Sequence, residues 1–115
     1  MITNEADNWQ KVLKFIESKF TQGETPDMDG ILFLIGVQEL GKIKKKFKKD
    51  DKLNLMHIAV CRLLEPYGFY LFEGIDTEGW PHYKLNEQLP ILKANEQQLL
   101  MKKAIIQYFE DEGLT

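Results

Sequence analysis

The chain has 115 residues, of which 43% are hydrophobic, 29% charged and 11% aromatic, a balance that excludes a disordered, collagen-like or disulfide-dense polypeptide. Fifteen lysines and arginines against eighteen acids give a net charge of −3, short of the basic excess of a dedicated nucleic-acid binder. This length suits one globular domain, residues 1–115, that buries roughly two thirds of its unfolded surface without disulfide or metal staples.

Residues 4–20 are predicted to form the first helix. Trp9, Val12, Leu13, Phe15, Ile16 and Phe20 recur at spacings of three and four, which gathers most of them on one stripe. Thr3 or Asn4 suits the N-cap, and Glu5 and Asp7 suit the positive end of the helix dipole. Gly23 and Pro26 mark a connection. The second helix starts near Asp29 and is apolar on all sides over residues 31–37, so it belongs at the centre of the fold. Leu40, Ile43 and Phe47 then keep the helical spacing, so the helix is expected to run on through a lysine cluster, with Ile43 and Phe47 inward.

That cluster is Lys42, Lys44, Lys45, Lys46, Lys48 and Lys49, six bases in eight residues without an acid. Without them, nine bases stand against eighteen acids, so the rest of the chain carries −9. One basic spot on an acidic body steers partners or pairs with acidic surface. Asp50 and Asp51 close the second helix and cap a third over residues 52–64, with Leu53, Met56, Ala59, Val60, Leu63 and Leu64 on its inner face. Pro66 and Gly68 end it.

From residue 67 onward aromatic and aliphatic residues read as a strand. The segment 76–79 is a turn signal, and a second strand covers residues 80–85. With a four-residue turn, Ile75 faces Trp80, Glu73 faces His82 and Leu71 faces Lys84. Tyr70, Phe72, Pro81, Tyr83 and Leu85 then share an apolar face that is expected to pack on the helices, because an isolated hairpin is marginal in water. Pro81 restricts its strand to pairing toward the hairpin partner. A last helix spans about residues 90–112 and Gly113 ends it. The expected fold is therefore α+β, mainly helical, with about four helices and one two-stranded antiparallel hairpin between helices three and four.

Four groups of residues carry possible chemistry. His57 and Cys61 stand one helical turn apart, the spacing of a zinc-ligand pair or of a base beside a nucleophile. With a single cysteine in the chain, no second thiolate completes a zinc site, and a buried thiol beside a histidine is the simpler expectation. Glu73 and His82 form a cross-strand pair, and with Trp80 and Ile75 they make a candidate partner-binding face. The lysine cluster suits salt-dependent, non-specific contact with phosphates, or a solvated helix end. Asp27 and Asp29 before Gly30 lack the remaining ligands of a calcium loop.

Three helices, a hairpin with a charged tip and a final helix make an order similar to that of winged-helix DNA-binding domains. In that resemblance residues 53–64 are the reading helix, offering Asn54, His57 and Arg62, and residues 67–85 are the wing. The acidic tip Asp76, Thr77 and Glu78 departs from the pattern, since a phosphate lies near the wing in that family. Taken together, the residues point to a small non-enzymatic binding or regulatory module. It is expected to act on a protein partner or on itself as a homodimer, without cofactor, metal or membrane. The polar, acidic first ten residues lack the features of a secretory signal, and the lone cysteine suits a reducing compartment, so a cytoplasmic location is expected.

Overall fold

The computed structural model describes residues 5–42, 48–86 and 92–115. The helices are α1 (Glu5–Lys19), α2 (Met28–Lys42), α3 (Lys52–Leu64) and α4 (Ala94–Asp111), and the strands β1 (Tyr70–Ile75) and β2 (Pro81–Leu85) form the hairpin between α3 and α4. The α+β, mainly helical architecture expected from periodicity is the one observed. Contacts divide the chain into two compact units, one holding α1 and α4, the other α2, α3 and the hairpin.

In the first unit Val12 and Ile16 of α1 are buried, as are Ala104, Ile105, Ile106, Tyr108 and Phe109 of α4. Phe15 meets Phe109 edge to face with ring centroids 5.7 Å apart, an arrangement worth about 0.5–1.5 kcal/mol beyond the area it buries. Lys102 Nζ lies 5.4 Å from the centroid of the half-buried Trp9 ring, within range of a cation–π attraction. The α4 start is held by Glu96, whose Oε1 accepts from the Lys93 amide at 3.1 Å. The proposed caps Thr3 and Asn4 of α1 lie outside the described residues.

In the second unit α2 packs on α3, and Ile31, Leu32, Ile35 and Leu40 of α2 are buried, as are Leu55, Ile58, Ala59, Cys61 and Leu64 of α3. Gly36 sets how close the two helices come. A Cβ built there would stand 2.2 Å from the Leu55 carbonyl oxygen, so only glycine fits the contact. This contact also corrects the expected inner face of α3. Leu55 is fully buried while Leu53, assigned inward by its spacing, is 78% exposed. The continuation of α2 through Ile43 and Phe47 falls outside the described residues, and at Lys48 the backbone is extended.

Asp51 precedes α3 but makes no side-chain cap to it. Its Oδ2 instead accepts from the Lys48 amide at 2.7 Å, bracing the short 3-10 turn Lys49–Asp51. A second 3-10 turn, Glu65–Tyr67, leads from α3 toward the hairpin. Asn86 closes the open end of the hairpin: its backbone amide donates to the Phe69 carbonyl and its side-chain amide to the Gly68 carbonyl, both at 2.9 Å.

Candidate functional site

The hairpin begins in the expected register, with Tyr70 opposite Leu85, Leu71 opposite Lys84 and Phe72 opposite Tyr83. A bulge between Phe72 and Gly74 then shifts it by one residue, so that Gly74 faces His82 and Ile75 faces Pro81. Gly74 has φ 124, a conformation glycine adopts at little cost and L side chains rarely enter. The expected Glu73–His82 pair is therefore absent from the register, because Glu73 is the extra residue of the bulge. Ile75 likewise does not face Trp80.

Asp76 takes the role that the sequence reading gave to Glu73. Its Oδ2 lies 2.7 Å from His82 Nε2. Its Oδ1 accepts from the backbone amides of Glu78 and Trp80, each at 2.9 Å. One carboxylate thus closes the turn and ties it to β2. The Trp80 amide first, then the His82 side chain and the Glu78 amide, hold this carboxyl below the usual carboxylate range, because each favours the charged form. An aspartate at the start of a turn commonly bonds amides two residues on, and that signal was present in the Asp-Thr-Glu-Gly sequence.

Two grooves flank the hairpin strands. The smaller, about 250 Å³, has walls of Phe72, Ile75, Pro81 and Tyr83, with Glu39, Arg62 and Glu65 beneath. Arg62 Nε lies 3.4 Å from Glu39 Oε1, so the guanidinium assigned to a reading helix is held by α2. Burial, reinforced by the nearby Glu65 and Glu39 charges, pushes the Tyr83 phenol up to about 12, so it stays a neutral donor at neutral pH. The larger groove, about 420 Å³, runs between the start of α3 and the turn and is lined by Asn54, His57, Asp76, Glu78, Trp80 and His82, among others. Trp80 and His82 therefore share one groove and Ile75 lines the other; Pro81 and Tyr83 border both.

The apolar face of the hairpin is only partly covered. Phe72 is 50% exposed, Ile75 50% and Leu85 51%, while Leu71, opposite Lys84 on the other face, is 47% exposed. Phe72 and Tyr83 stack edge to face at 5.4 Å, so the rings order one another while leaving half of Phe72 in water. Of the face expected to pack on the helices, Tyr70, Pro81 and Tyr83 are partly buried, whereas Phe72 and Leu85 are exposed.

His57 Nε2 and Cys61 Sγ lie 3.5 Å apart, as their spacing implied. Cys61 is completely buried, and burial raises its thiol to about 11. At neutral pH it is a thiol, and the thiolate is the form that attacks or ligates. Among the described residues no group of three or more histidine, cysteine, aspartate or glutamate side chains is arranged to hold a metal ion. Nor is any described helix long and apolar enough to cross a membrane. Lys48 and Lys49 are exposed, whereas Lys44, Lys45 and Lys46, and the side chain of Lys42, lie outside the described residues. The chain matches no family model, no curated protein and no solved structure.

Proposed function

We infer that the chain is a non-catalytic binding module that docks a protein partner on its hairpin. The observation that carries this reading is the set of half-exposed apolar side chains, Leu71, Phe72, Ile75 and Leu85, concentrated on one hairpin. Apolar side chains so placed contribute little to the core yet lose water when a partner covers them. Phe72 and Ile75 also wall a groove, the kind of recess that receives an anchoring side chain. Three of the polar groups nearby have structural partners or are buried. Asp76 holds the turn, Arg62 pairs with Glu39, and the Cys61 thiol is buried and protonated, which supports binding over catalysis.

Affinity purification of the wild-type chain beside Phe72→Asp and Ile75→Asp tests this reading. The expected result is a stoichiometric partner captured by the wild type and lost from both variants, with circular dichroism unchanged. An identical capture profile from all three chains contradicts it.

A further inference from the structure

The larger groove differs in character from the apolar one. Asp51, Asp76 and Glu78 contribute three carboxylates to it and Trp80 an aromatic ring, and among the described residues no lysine or arginine lines it. A recess lined by one sign of charge concentrates its field on an incoming cation, and an indole face adds attraction for an ammonium group. Asp51 and Asp76 are already fixed, one by the Lys48 amide and the other by the turn amides and His82. Their negative charge is therefore held in place before any ligand arrives, which lowers the ordering cost of binding.

We propose that this groove receives the lysine-rich segment, residues 42–49, of a second copy of the chain, giving a two-fold dimer. The charge of the sequence is the reason to choose this occupant. The segment carries six lysines and no acid, while the rest of the chain carries fifteen less six bases against eighteen acids. Donor and acceptor also adjoin: the segment enters the turn Lys49–Asp51, and Asp51 lines the groove. In a two-fold pair the same patch meets itself, so a single interface makes the segment-to-groove contact twice. The inference does not depend on the apolar groove or on its partner.

Sedimentation equilibrium across salt concentration tests the proposal. At low salt the wild type is expected at twice the 13.5 kDa chain mass, with the dissociation constant rising at least about tenfold as salt screens the exposed charges. The triple variant Lys44→Glu, Lys45→Glu, Lys46→Glu and the single variant Glu78→Lys are each expected to be monomers. Mixed in equal amounts they are expected to recover a dimer, because the triple variant keeps its acidic groove and Glu78→Lys keeps its basic segment. Phe72→Asp leaves the dimer intact, which separates this result from the hairpin reading. A monomeric wild type at low salt, a dimer indifferent to salt or to either variant, or a mixture that stays monomeric overturns the proposal.

Discussion

The α2–α3 pair and the hairpin that follows it use apolar residues in opposite ways. Between the helices the backbones close until a glycine faces a carbonyl, and Ile31, Ile35, Leu55 and Cys61 lose essentially all contact with water. On the hairpin, residues of the same chemical kind stay about half in water. At about 25 cal/mol per Å² of apolar area removed from solvent, the helix pair supplies stability and the outer hairpin side chains supply little. The hairpin's ends are instead held by polar contacts, the Asp76 clasp at the turn and Asn86 at the open end, while its outer apolar side chains stay half exposed.

The sharpest way to strain that contrast is at the helix contact. Gly36→Ala places a methyl group 2.2 Å from the Leu55 oxygen, so the helices must separate or shift. Overpacking of this kind costs about 1–3 kcal/mol, and more where backbone must move. Urea unfolding is expected to show a clearly lowered midpoint. An unchanged midpoint would mean that the two helices do not approach as closely as described.

A smaller effect is expected at the clasp, and its sign follows from the carboxyl's lowered titration. A group whose folded form titrates below its unfolded value of about 4 contributes stability above that value and loses it as pH falls through the folded one. In an acid titration followed by nuclear magnetic resonance, the amides of Glu78 and Trp80 are expected to shift together at a pH below the ordinary carboxylate range. In Asp76→Asn that shared step is expected to vanish. A step that persists in the variant would assign the turn to another group.

The helices were legible because their apolar spacing is redundant: α3 has the bounds, residues 52–64, that Asp51 and Pro66 suggest. The inward side of α3 was legible at Ala59, Leu63 and Leu64, which are buried, and was missed at its start, where Leu55 and not Leu53 faces in. The choice was made by Gly36 on another helix, a contact that periodicity within one segment does not contain. The hairpin register was readable as far as Phe72 and failed at the bulge. Gly74 was the available signal, since a glycine within a strand often marks such an insertion. That one residue moved His82 from Glu73 to Asp76 and divided Trp80 from Ile75, so the candidate face became two grooves.

The half-exposed side chains of the hairpin contribute far less to stability than the buried core of α2 and α3. Chemical denaturation of the double variant Phe72→Ser, Ile75→Ser tests this most directly. The expected loss is about 1 kcal/mol at Ile75 and about 1–2 kcal/mol at Phe72, as half-burial and the Phe72–Tyr83 ring contact imply. A combined loss well above that sum, on the order of that for emptying a packed core at both positions, would contradict the account and return those side chains to the interior.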